Sequence, residues 1–238
     1  MDQEFTQLFE KWQKEFSFKA FVHDGIVDEE RYERPHIVFV LRDMNNPNGG
    51  DLRKDLRNYG SGHKTWCNAA RWAKALLDGT CDYPYDMSRQ KRAEQMSRVA
   101  VINLKKEGGG ARTNGKKLLK AVQEHKTYIR DELALCDPDI IICCGLWLKG
   151  AASNAKLLRD HVFEQSTAWD EFSSTLPERK WSFYYTTLNG KEVPVISFCH
   201  SQVSHLNKKR GHEELFKPLY QDMLYIRERF LNHEKETV

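Results

Sequence analysis

Residues 98–145 read RVAVINLKKEGGGARTNGKKLLKAVQEHKTYIRDELALCDPDIIICCG, and this stretch decides the fold. It opens on RVAVINL (98–104), a short continuous apolar run rich in β-branched residues, which suits a strand buried on both faces. A basic, glycine-rich loop follows, and then residues 118–135 carry the three-and-four apolar spacing of a long helix. That helix has to stop before Asp137-Pro138. DIIICCG (139–145) is a second buried strand, closed by Gly145. A strand, a crossover helix and a strand in this order predict a parallel pair.

The same grammar extends outward. HIVFVL (36–41) and VPVISFCH (193–200) are two more buried strands, and WSFYYTTL (181–188) reads as an edge strand. Amphipathic helices are expected over 5–18, within an N-terminal segment 1–20, over 65–77, and over 213–231 at the C-terminus. The predicted architecture is α/β: a three-layer sandwich with a central, mainly parallel four- to five-stranded sheet flanked by helices. One domain is expected to span 1–238.

Composition sets limits on function. Hydrophobic residues make up 40% and charged residues 30% of 238 residues, ordinary values for a folded globular chain. The first residues lack the basic start and apolar run of a signal peptide, and no segment reaches the roughly 18 apolar residues of a membrane span. A cytoplasmic protein with no membrane partner, acting as a monomer, is expected. The six cysteines show no paired ligand spacing, so neither a metal nor any other cofactor is expected. A net charge of +3 does not by itself indicate a nucleic-acid partner, so local charge has to carry that argument.

In parallel sheets, ligands bind beyond the carboxyl ends of the strands. Three loops there are chemically unusual. The first, 42–50, holds Asp43 and Asn45: a carboxylate can orient or deprotonate a water and an amide can fix a polar ligand, although Asn, Asp, Pro and Gly are also ordinary turn formers. The second begins at Asn103 and carries Lys105, Lys106 and Arg112 among glycines, a composition that lets phosphates approach the backbone or that simply makes a solvated excursion. The third, after Cys199, holds His200, Ser201 and His205 and runs into Lys208, Lys209 and Arg210. A histidine there can stabilise an anion that develops on a leaving group.

Taken in order, VLRDMNNP, VINLKK and FCHSQ resemble the motif set of the uracil-DNA glycosylase superfamily, over roughly residues 37–209. In that family the first strand ends in a catalytic Asp or Asn, as in G-Q-D-P-Y or G-M-N-P-G. The second ends in an Asn that reads the base edge, and the last motif is H-P-S. The resemblance implies catalytic roles for Asp43, Asn45 and His200 and base binding by Asn103, with Trp66 or Tyr59 stacking on a flipped base. It also implies phosphate contacts from Lys105, Lys106, Arg112, Ser201, His205, Lys208, Lys209 and Arg210. The implied activity is excision of uracil or a related deaminated base from single- or double-stranded DNA. Leu41, Met44 and Gln202 depart from the family pattern. Two alternatives stay open: a member that binds modified nucleic acid or a nucleotide without cutting, and an unrelated metal-dependent hydrolase using Asp43, His200 and His205.

Overall fold

The computed structural model describes residues 2–59, 64–110, 112–202 and 211–232, with the side chains of 2, 59 and 64 outside that description. In chain order the elements are α1 (Asp2–Phe16), β1 (Val22–His23), β2 (Gly25–Ile26), β3 (Ile37–Asp43), β4 (Gly50–Asp51), α2 (Leu52–Tyr59), α3 (Lys64–Asp78), α4 (Arg89–Met96) and β5 (Ala100–Lys105). Then come α5 (Gly115–Glu124), α6 (Lys126–Leu135), β6 (Ile140–Cys144), α7 (Asn154–Leu157), β7 (Asp170–Ser173), β8 (Lys180–Leu188), β9 (Lys191–Phe198) and α8 (Lys217–Leu231). Among the described residues, no helix is long and apolar enough to cross a membrane.

The strands alternate between two cores, which is why each reads as a continuous apolar run. Ile37, Phe39 and Leu41 of β3 face one hydrophobic cluster, whereas Val38 and Val40 face the other. In β6, Ile140 and Ile142 likewise separate from Ile141 and Cys143. The first cluster is completed by side chains of α2, α3, α4 and α8, among them Leu56, Trp72, Met96 and Tyr220. The second is completed by α1, α5, α6 and α7, among them Phe9, Trp12, Leu118 and Leu133.

The main sheet is a mixed sheet of seven strands in the order β2-β5-β3-β6-β9-β8-β7, which corrects the expectation of a mainly parallel sheet of four or five. The four central strands are parallel, and antiparallel strands extend both sides. The additions escaped the sequence reading because β2 is two residues long and β7 presents only one buried residue in DEFS. β7 also demotes 181–188 from the edge position, since β8 is paired on both sides.

The expected long helix over 118–135 is two helices, broken at His125, which closes α5 and opens α6. The break sets the His125 ring among Trp12, Phe16 and Phe18. α8 starts at Lys217 after a π-helical turn, His212–Phe216, later than the expected start at 213.

Candidate functional site

The parallel centre brings the carboxyl ends of β5, β3, β6 and β9 to one edge. From β3 the chain crosses to β5 on one side, and from β6 it moves to β9 on the other, so the seam between β3 and β6 is where strand order reverses. Asp43 pairs directly with Lys105 across the sheet. Val40 is level with Cys143 and Cys143 with Ser197. Asp43 is the last residue of β3, and His200 follows the end of β9 at Phe198 by two residues, so both lie at the carboxyl edge with β6 between their strands.

The seam is held by an amide and a guanidinium. Asn154 Nδ2 donates to the carbonyls of Val40, at 3.2 Å, and Cys144, at 3.3 Å, and its backbone N–H donates to Gly145 O at 2.9 Å. A Cβ at Gly145 would stand 2.9 Å from that amide and 3.0 Å from Arg42 Nε, so only glycine fits there. Arg42 donates through Nη2 to Leu146 O, and burial lowers its pKa. The sequence reading missed both Arg42 and Asn154.

Asp43 is held from three directions. The Thr113 hydroxyl donates to Oδ1, and Lys105 Nζ lies 3.7 Å from Oδ2. Lys105 in turn donates to Glu107 O at 2.6 Å, closing the start of the glycine loop. Gly109 N–H donates to Met44 O at 2.8 Å, so close that a Cβ on Gly109 would meet Asp43 Oδ2 at 2.5 Å. The glycines of this loop are therefore needed for its approach to β3, and the Asp43 side chain is only 7% exposed beneath it. Thr113, which precedes the N-cap residue Asn114 of α5, carried no signal of its own.

The other expected site residues divide sharply. Asn45 and Arg112 are exposed, and Asn46 is engaged in turn chemistry, its amide donating to Gly49 O at 2.7 Å. His200 is partly exposed, and its Nδ1 accepts from Gln202 N–H at 3.1 Å, which leaves the proton of the neutral ring on Nε2. Ser201 is buried rather than on the surface, with its carbonyl accepting from Asn68 Nδ2 at 2.7 Å. Trp66, 8% exposed, belongs to the core cluster beneath α3 and offers no open stacking face. Asn103 donates through both its backbone N–H, at 2.7 Å, and its Nδ2, at 3.0 Å, to Asp24 Oδ2, so its side-chain donor is engaged inside the fold.

Lys106 corrects the expectation of a phosphate contact: it is wholly buried, bonded to Asp24 Oδ1 and lying 2.7 Å from Glu132 Oε1. Burial works to lower its pKa, but the charges of Asp24 and Glu132 outweigh this and raise it. The Tyr59 side chain and residues His205, Lys208, Lys209 and Arg210 lie outside the described residues. Among the described residues, no group of three His, Cys, Asp or Glu side chains could hold a metal ion.

Comparison with protein-family models, with curated proteins and with solved structures finds no match.

Proposed function

We propose that the protein is a DNA glycosylase that removes uracil or a related deaminated base by hydrolysing the N-glycosidic bond of a flipped nucleotide. The observation that supports this reading is that Asp43 closes β3 and His200 follows β9 at the same carboxyl edge, on either side of β6. Breaking the C1′–N bond leaves positive charge on the sugar and negative charge on the base. The Asp43 carboxylate, oriented by Thr113, stabilises the first and aligns the attacking water. His200, carrying its proton on Nε2, stabilises the second. Asn45 is an exposed amide at this edge and takes the base-reading role that Asn103, tied to Asp24, does not offer. Flipping costs a few kcal/mol, which contacts to the extruded nucleotide offset. The same reading treats the sheet and its two helical coverings as one three-layer domain of the uracil-DNA glycosylase kind, working in the cytosol as a monomer without cofactor.

The test is base release, without added metal, from matched oligonucleotides carrying uracil, hypoxanthine, xanthine or no lesion, beside Asp43→Ala and His200→Ala proteins. Alkali-labile product from the wild type, lost in the Asp43 variant, is expected. A specific observation favours a second reading, binding without cutting: the Gly108–Gly109 backbone lies over Asp43 and leaves little of it exposed. No product on any lesion, with DNA binding that survives Asp43→Ala, would establish that reading instead.

A further inference from the structure

The loop after β6 displays Trp147 with 75% of its surface exposed, far more than Tyr85 or Tyr225, the other large exposed apolar side chains among the described residues. A tryptophan left in water is a cost that the fold could have avoided by burying it, as it does Trp12, Trp72 and Trp181. Its backbone is pinned. The preceding carbonyl, Leu146 O, accepts from Arg42, and Leu148 and Ala151 exchange hydrogen bonds of 3.2 and 2.9 Å around the tight turn Lys149-Gly150. The indole is therefore presented on a fixed frame at the seam where β3 and β6 end.

The charge around it is one-sided. The turn packs onto the start of α5: a Cβ on Gly115 would meet Lys149 O at 2.3 Å, and one on Gly150 would meet Lys116 Cγ at 3.2 Å. Lys116, Lys117, Lys149 and Arg112 are all exposed, and none makes an ion pair among the described residues. Elsewhere cations such as Arg34, Arg98, Lys156 and Lys191 sit against carboxylates. The first turn of α5 contains no acidic residue, so Lys116 and Lys117 stand where the helix dipole disfavours positive charge. An anion lying across them would be held by the lysines and by the dipole alike.

We infer that Trp147 together with Arg112, Lys116, Lys117 and Lys149 forms a binding surface for single-stranded DNA, one base stacking on the indole while the neighbouring phosphates lie on the cations. Every base has a face that can stack on an aromatic ring, and the backbone supplies anions at regular spacing. Thr113 links this surface to Asp43, since it follows Arg112 in the chain and donates to the carboxylate. The strand would therefore pass directly beside the proposed reaction site. The inference deepens the glycosylase reading by naming where the strand next to the target nucleotide rests.

A lesion-free fluorescent oligothymidylate, titrated at several salt concentrations, separates the two ideas because it measures no chemistry. Trp147→Ala is expected to weaken binding about ten-fold or more, and Trp147→Phe to keep most of the affinity. Replacing Lys116, Lys117 and Lys149 by Ala is expected to reduce the slope of log affinity against log salt by about 2. Thermal unfolding of each variant should match the wild type, since all four side chains are exposed. Unchanged affinity in Trp147→Ala, an unchanged slope in the triple variant, or no oligonucleotide binding by the wild type would each overturn the surface. Binding that depends on Trp147 without base release on any lesion would retain the surface and remove the glycosylase.

Discussion

Lys105 and Lys106 are consecutive at the end of β5, yet they occupy opposite environments. Lys105 reaches Asp43 and the glycine loop at the carboxyl edge, with a tenth of its side chain in water. Lys106 reaches through the second core to Asp24 and Glu132, with Phe9 and Trp12 rings 5.8 and 5.5 Å from its ammonium. Successive residues leaving a strand point to opposite faces, so two lysines that look like one basic patch are divided: Lys105, itself buried, turns to Asp43 and Glu107 O instead of to a phosphate, and Lys106 turns into the core. The two regions differ in what an ion pair does for them. At the edge, Asp43 and Lys105 lie 3.7 Å apart and each has a second partner, the Thr113 hydroxyl for Asp43 and Glu107 O for Lys105, so neither depends on the other alone. In the core, Lys106 is the cation that faces the buried Asp24 and Glu132 among the described residues, and removing it leaves buried negative charge uncompensated.

The sharpest way to break this comparison is to remove each ammonium in turn. Lys106→Met should destabilise the protein by about 3–5 kcal/mol, because Asp24 and Glu132 are left buried without a counter-charge. In a domain of this size that lowers the melting temperature by about 10 °C. Lys105→Met should cost less, about 1–3 kcal/mol, because the buried Asp43 carboxylate keeps the Thr113 hydroxyl. Thermal unfolding of both variants decides the matter, and equal losses would mean that Lys106 is not the keystone of the core.

The edge should respond in rate rather than in stability. Asp43→Asn keeps the size of the side chain and its hydrogen bond to Thr113 but removes the charge. Base release should fall about 100-fold or more while the melting temperature stays within a few degrees. Thr113→Val should slow base release by about ten-fold through loss of carboxylate orientation, again with little change in stability. If Thr113→Val had no kinetic effect while Asp43→Asn had a large one, the hydroxyl would be a packing detail and the carboxylate would be positioned by Lys105 alone.

The asymmetry of the two regions also explains what the sequence could disclose. The four central strands were legible because runs such as HIVFVL and DIIICC are apolar on both faces, a pattern with few alternatives. The loops that gather at the carboxyl edge followed from them, and Asp43 and His200 both lie in these loops or at their start. The partners of those residues were not legible. Thr113, Asp24 and Glu132 are ordinary polar residues whose roles exist only through contacts with residues 70, 79 or 82, and 26 positions away in the chain. Asn103 shows the same limit: β5 runs on to Lys105, so Asn103 lies inside the strand rather than at its end, and the carboxylate that occupies its amide comes from the short segment before β2. Trp66 failed for a different reason, because a helical tryptophan spaced for the core is indistinguishable by pattern from one presented to a ligand.

The smallest effect tests the inner arithmetic of the core. One ammonium balances one carboxylate, and the triad holds two. Burial foremost, with the negative charge of Asp24 adding to it, pushes the Glu132 pKa well above its ordinary value of 4.5, against the opposing pull of Lys106. An acid whose pKa is higher in the folded state binds its proton more tightly there. Its contribution to stability is therefore greatest at low pH and diminishes as pH rises from about 4.5 through the folded value. Glu132→Gln retains an oxygen for Lys106 and never ionises. Relative to wild type, the variant should gain stability as pH rises from 5 to 8, as measured by urea unfolding at each pH. A variant less stable than wild type by the same amount at every pH would show that Glu132 is a fully ionised partner of Lys106. The core would then hold two negative charges against one positive, a larger imbalance than at the edge, where Asp43 faces Lys105 one to one.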